Sequence, residues 1–337
     1  MKSIIRKFAG ALLALSVLPL CLNTAHAQIK ATVINDVQKD TGKGKTWEMF
    51  KKLVEQRNPG QIQITVNHGD ALYDQKTVLP ALQLGAIQFI SPVAGVYGGS
   101  FPKLAVLGLP FLLPNSAAIK AVTDDPIISR TLFNDMRAKG VEPLGIWLNG
   151  PRDIGRTGSK PILVPGDVRG LKIRVPPGRN YVDAFKLLGA NPTTMSWGEV
   201  PTALRQGVID AVEPTPSAWA ASSMYETAKQ ITRTGYIWDL YIVSTNKAWW
   251  DGLKPEVRDN LKAAMTEATA WNWKITDEEI KTAYEKMKAG GATIHDLTPQ
   301  QRAEWVNALK PLWSSMGDEL VGKEMMARIL EITAKYR

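Results

Sequence analysis

Arg174 is the side chain in this sequence best suited to chemistry. It lies in Leu171-Lys172-Ile173-Arg174-Val175, where three apolar residues alternate with two basic ones, the period-two pattern of a half-buried strand. A guanidinium on the polar face of such a strand matches a carboxylate with two parallel hydrogen bonds. Each is charge-assisted and contributes roughly 1.5–3 kcal/mol where water is excluded. The pattern alone favours a solvated arginine over a ligand-binding one, since most arginines are exposed. Trp197 comes next. Ser196 and Glu199 bracket it in an S-x-x-E capping box, and Gly207 stands where a helix end favours a left-handed residue. A flat ring at a helix start can cover a planar or apolar ligand while the terminus favours negative charge. The chain has 11 tryptophans, most of which must be structural, so position rather than residue type singles out Trp197.

Other candidates are less specific. Glu213 ends an apolar strand expected over Val208 to Val212. It fits a ligand amine or hydroxyl, or a cation bridging to a ligand carboxylate, as well as a local ion pair with a basic residue. Trp219 is a candidate wall of a cleft. Asn35, Gln38 and Lys39 fall in the loop after the opening strand and Ser91-Pro92 ends another, the positions where open α/β sheets bind ligands. Tyr236 and Trp238 lie where the chain is expected to cross between halves.

The elements that must position these residues alternate. Strands are expected at Lys30 to Ile34, Ile62 to Val66 and Ile87 to Ile90, with helices at Trp47 to Gln56 and Val78 to Leu84. The same texture returns after Gly150, which is the mark of a largely parallel sheet covered on both faces, an α/β fold. Tyr236 to Ser244 reads as another strand. From Pro255 to Ala289 neither glycine nor a further proline interrupts the chain, and apolar residues recur at helical spacing. One unbroken helix of that length would run about 50 Å, enough to span two lobes. A break near Thr276-Asp277 is the alternative, because Thr276 and Glu279 form a second capping box.

Composition narrows the function classes. Lys2, Arg6 and Lys7, an apolar run from Phe8 to Leu22 and Ala25-His26-Ala27 read as a secretory signal over residues 1–27. The chain's only cysteine, Cys21, falls inside it, so the mature protein would carry no disulfide, as suits a bacterial periplasm. The whole chain has 41 basic and 32 acidic residues. Removing the leader's three cations leaves 38 against 32, a net of +6 with no basic block of nucleic-acid type. Gly42-Lys43-Gly44-Lys45-Thr46 resembles the end of a P-loop, but Lys39 stands where the first glycine belongs. The two mature histidines, His68 and His295, have no HExxH spacing, and no G-x-S-x-G occurs. The sequence calls for no cofactor, no metal and no catalytic residue.

Several separated blocks resemble the periplasmic solute-binding proteins of TRAP transporters (tripartite ATP-independent periplasmic), the DctP-type family. They are LGLPFLLP at 107–114, NGPRDIGRT at 149–157, GLKIRVP at 170–176, LGANPTTMSWGEVPTALRQGVIDAVE at 188–213 and STNKAWWDGLKPEVRDNL at 244–261. The resemblance implies a two-lobed, type II-like periplasmic binding protein whose long helix spans both lobes. Lobe I would comprise 28–150 plus 240–277, and lobe II 151–239 plus 278–337. It implies a small carboxylate ligand held by Arg174, a second contact from Arg152, and an aromatic contact from Trp197. It also implies docking of a soluble protein, a monomer, on the small and large membrane subunits of the transporter. Many members carry an asparagine after the glutamate that matches Glu213, whereas this chain has Pro214. That departure and the tryptophan supply favour a compact monocarboxylate over a large sugar acid. Two rival functions are a binding protein for another importer or a sensor, and a periplasmic carboxylate-processing enzyme.

Overall fold

Short runs rich in apolar and β-branched residues become the strands. In the computed structural model, which describes residues 28–70 and 72–337, the strands are β1 (Ile29–Asn35), β2 (Ile62–His68), β3 (Phe89–Ile90), β4 (Val141–Pro151), β5 (Ile154–Arg156), β6 (Lys172–Val175), β7 (Asn191–Thr194), β8 (Ala211–Val212), β9 (Gln230–Arg233), β10 (Trp238–Asn246) and β11 (Thr293–Asp296). The secretory-signal reading, including Cys21, lies outside the described residues.

Two sheets result. The first has the order β2-β1-β3-β10-β4 and the second β11-β9-β5-β8-β6-β7. In the first, β1 pairs parallel with β2 and β3, whereas β10 runs antiparallel to β3 and β4. In the second, β6 lies parallel between β7 and β8. The sheets therefore exchange chain three times, at β4–β5, β9–β10 and β10–β11. The β4–β10 ladder slips where Asp239 faces Gly150 but Leu240 faces Leu148, so Asn149 is the extra residue of a bulge. Bulges re-aim side chains, and this one sits beside the polar cluster described below. Gly150 takes φ 104°, a conformation that favours glycine.

Boundaries differ from the expected ones for local reasons. The helix expected from Trp47 begins at Gly42, because the Thr41 hydroxyl accepts from the Gly44 N–H at 3.1 Å and caps it. The P-loop-like residues thus form an ordinary first helical turn. The strand expected over 208–212 shrinks to Ala211–Val212. Gly207 turns left-handed at φ 69°, and the Val208 N–H closes the preceding helix on Ala203 O.

The helix Pro255–Ala289 is continuous over 35 residues. Asn272 joins it to β4: its Oδ1 accepts from the Leu148 N–H at 2.7 Å, and Thr269 and Ile146 O receive the indole N–H groups of Trp147 and Trp273. Toward its far end, the Tyr284 hydroxyl donates to Asp153, next to β5. The segment after the helix, expected with the second lobe, touches both halves. Trp305 bonds Leu163 O at 3.0 Å, while Arg328 grips Asp125 at 2.6 Å and Trp313 bonds Pro110 O at 2.7 Å.

A continuous core runs from Val33, Trp47 and Phe89 under the first sheet to Ile173, Val175 and Phe185 under the second. Trp47 packs edge-on against Trp147 at 4.7 Å, a geometry worth about 0.5–1.5 kcal/mol beyond area burial. A smaller core gathers Val212, Trp219, Ile231, Ala283 and Met287.

Candidate functional site

The alternation in β6 buries Ile173 and Val175, but Arg174 is also buried, at 1% exposure. Its Nε and Nη2 donate to Met195 O at 3.1 and 2.7 Å, and Nη2 also reaches Gln75 Oε1 of the first lobe at 3.2 Å. The guanidinium lies 5.4 Å from the Trp197 ring. Among the described residues it makes no ion pair. Burial, helped by the charge of Arg152 and opposed by that of Glu213, pushes its pKa down to about 10, so it stays charged at neutral pH. A cation taken out of water onto neutral partners is strongly under-compensated. An anion entering beside it would restore that balance.

Arg152, just past β4, has the opposite surroundings. Its Nε and Nη2 donate to the two oxygens of Glu213 at 2.5 and 2.7 Å, and Nη1 donates to Asp239 Oδ2 at 2.5 Å. Burial alone would depress its pKa, but Glu213 and Asp239 hold it well above the ordinary value. Tyr236 donates to Glu213 Oε2 at 2.5 Å, and the Tyr181 ring lies 5.1 Å from the guanidinium. Burial, reinforced by the nearby carboxylates, pushes both tyrosines far above their usual range, so they remain hydroxyl donors.

Loops at the carboxyl ends of β1, β2 and β3 form the facing wall, where open α/β sheets place ligands. Lys43, in the first turn of Gly42–Arg57, pairs with Asp36, donates to Ser91 O at 2.9 Å and lies 4.0 Å from the Tyr241 ring. Gln75 donates to Asp36 Oδ2 at 2.7 Å while its Oε1 accepts from Arg174. A polar chain Lys43–Asp36–Gln75–Arg174 therefore crosses the seam. The turn that bears Trp197 is gripped from the same side. Gly198 N–H donates to Asp70 and the Ser196 hydroxyl to Asp74, each at 2.8 Å. The capping-box residue Glu199 accepts from the Ser196 N–H at 2.8 Å.

The expected residues thus separate. Arg174, Arg152, Trp197, Glu213 and Tyr236 gather along the seam. Glu213 occupies itself with Arg152 and Tyr236 rather than standing free. Trp219, expected to wall the cleft, is fully buried in the smaller core with its ring against Gly155, where a Cβ would lie 2.6 Å from the indole. Asn35 is buried at the end of β1, donating to Val37 O at 2.8 Å and contacting His68, with its Oδ1 unpartnered. Ser91 takes the Trp47 indole N–H on its hydroxyl at 2.8 Å. Sequence reasoning missed Asp36, Lys43, Asp70, Asp74, Gln75, Tyr181 and Asp239. The ends of β1 and β2 would have pointed to Asp36 and Asp70, as they pointed to Asn35.

The seam is shut in this structure. Small voids of about 20 Å³ lie beside Lys43 and Tyr241, and of about 10 Å³ beside Asp36 and Gln75. Roomier hollows lie elsewhere: about 570 Å³ beside Trp271, Ile275 and Ala220, and about 740 Å³ beside Trp313 and Met326. They hold neither buried arginine, so the polar seam is the better candidate. Among the described residues no cluster of metal-binding side chains occurs, and no helix is long and apolar enough to cross a membrane.

Comparison with known proteins places this geometry. Residues 35–320 match the model of bacterial extracellular solute-binding protein family 7, DctP. The C4-dicarboxylate-binding periplasmic protein DctP of Rhodobacter capsulatus is 33% identical over 335 residues, covering 98% of this chain and 99% of that protein. A TRAP periplasmic solute-binding protein of Shewanella oneidensis, solved with bound succinate, superposes with a TM-score of 0.87 at 29% identity, covering 91% of this chain and 99% of that one. A counterpart from Ralstonia eutropha, holding (S)-2-acetolactate, gives a TM-score of 0.85 at 27% identity, covering 91% and 99%. The chain belongs to the DctP family of solute-binding proteins. Its two-lobed fold is that of the TRAP solute-binding proteins, a family of binding proteins rather than enzymes.

Proposed function

We propose that this protein captures a small organic acid in the periplasm, its carboxylate on Arg174, and delivers it to the small and large membrane subunits of a TRAP transporter. The observation that carries the reading is a buried guanidinium at the seam of two lobes whose bonded partners are all neutral. Arg152 would assist through its fixed charge and the shape of the pocket, since its own hydrogen bonds are filled by Glu213 and Asp239. Trp197 would cover the remainder of the ligand. Entry requires the seam to open, and hinge closure around a ligand is the ordinary motion of such lobes. Closure would then rebuild the contacts of Gln75, Asp74 and Asp70 across the seam.

Native mass spectrometry of the purified protein should reveal a co-purifying carboxylate. Thermal-shift screening of the identified acid should raise stability by about 2.7 kcal/mol at a hundredfold excess over Kd. Arg174→Ala should abolish that shift and leave the ligand-free fold intact. A shift that survives the substitution overturns the assignment of the carboxylate to Arg174. Reconstituted uptake that needs this protein together with both membrane subunits would test delivery.

A further inference from the structure

The buried charges along the seam nearly cancel before any ligand enters, and that limits what the seam can accept. Arg152 faces Glu213 and Asp239, Lys43 faces Asp36, and Arg174 faces neutral groups. Those three cations and three carboxylates leave Asp70 to set the balance. Asp70 follows β2 in the left-handed region, φ 56°, after Gly69 at 81°. This tight corner carries its carboxyl across to the second lobe, where Oδ2 accepts from the Gly198 N–H at 2.8 Å. The other oxygen, Oδ1, is buried with no hydrogen-bond partner. Asp36 and Lys43 face it from the first lobe, and Asp74 from its own loop. Asp74 is held below the usual range despite its burial, because Thr77 and Ser196 donate to it. From the second lobe come the Ser196–Glu199 turn, whose Glu199 lies 4.0 Å from Lys76, and Trp197 stacked on Arg174. His68, two residues upstream, is taken up by Asn35 and Glu48.

Resting on the reading that Arg174 receives the ligand, we propose that Asp70 is a specificity-determining residue, closing the seam as a neutral acid over a hydroxy or oxo acid of single negative charge and rejecting a dianion. With Asp70 neutral the six charges buried along the seam cancel, Asp74 being only half-buried at its rim and already held by Thr77 and Ser196. A monoanion then leaves one excess negative charge, whereas a dianion leaves two in a region shielded from water, where like charges repel strongly. An ionised Asp70 adds a further one. Burial and the neighbouring Asp36 already push its carboxyl up to about 7, against the Gly198 hydrogen bond and Lys43. A proton on Oδ1 would also turn that unpartnered oxygen into a donor for a ligand oxygen. The sign follows from linkage. An aspartate in the open, solvated state titrates near its ordinary value of about 3.9, so closure takes up a proton between roughly pH 4 and pH 7. Affinity therefore falls as pH rises through that window and levels off above it.

The test uses size-matched acids that differ in charge: galacturonate against galactarate, and succinamate against succinate. Calorimetric titration of the intact protein at about pH 5.5 and about pH 8 should show the monoanion of a pair binding at least about tenfold tighter at the higher pH, and losing about thirtyfold in affinity between the two. Asp70→Asn should flatten the pH profile and narrow the discrimination, with Asp70→Ser as the second variant should the first fold poorly. Tighter binding of the dianion by the unmodified protein, or a variant with unchanged preference and pH profile, overturns the proposal. If no acid binds at all, the proposed function fails instead, and small-angle scattering of the ligand-free protein still decides the role of Asp70. The unmodified protein should be more extended at the higher pH and the Asp70→Asn variant insensitive to it. Identical behaviour of the two overturns the proposal.

Discussion

Arg152 and Arg174 lie along the same seam, and both are almost wholly buried, yet their surroundings differ completely. Arg152 holds two carboxylates through three of its nitrogens. Arg174 has a backbone carbonyl, an amide oxygen and the face of an indole. One guanidinium is driven far above its ordinary pKa by its anions, and the other is depressed by burial. The contrast teaches that burial of a cation says little about its role until its counter-charges are counted. A filled fork knits β4, β8 and β10 together, whereas an under-compensated one has an interaction still to make.

Substitutions can break that contrast. The largest effect should come from Arg152→Ala, which strands Glu213 and Asp239 without their cation and should cost about 3–5 kcal/mol in denaturant unfolding. A loss as small as that of a surface residue would mean that the cluster is not structural. Arg174→Ala should separate the two roles: it removes the ligand-induced stabilisation of about 2.7 kcal/mol at hundredfold excess, while unfolding of the ligand-free protein changes far less than for Arg152→Ala. Trp197→Ala removes the ring from Arg174 and should weaken binding by about 1–2 kcal/mol, read by calorimetric titration. Equal affinities would deny the ring a place over the ligand. Ser196→Ala deletes the bond to Asp74 across the seam and should cost about 0.5–1.5 kcal/mol of affinity, measured in the same way.

Period-two alternation showed the strand of Arg174, and an uninterrupted helical repeat showed the 35-residue helix, because both are local patterns. The Ser196-Glu199 signature likewise located the turn that carries Trp197. What stayed hidden was pairing. Glu213 and Asp239 stand 61 and 87 positions from Arg152, and nothing local says that one fork will hold both. Asp239 reaches it beside a bulge whose existence depends on the register between β4 and β10. Trp219 looked like a cleft wall because tryptophan suits both walls and cores. Its contact with Gly155, where any Cβ would collide with the indole, could be seen only once the second sheet was assembled. Asp70 was missed because its importance comes from the lobe opposite it, through Gly198.

The long helix bears on how the molecule comes apart. Asn272 and Thr269 tie it to one sheet, and Tyr284 ties it to Asp153 just before β5 in the other. Neither half can melt without stripping contacts from the rod that the other half needs. Heating should therefore give a single calorimetric transition, and limited proteolysis should release no intact half.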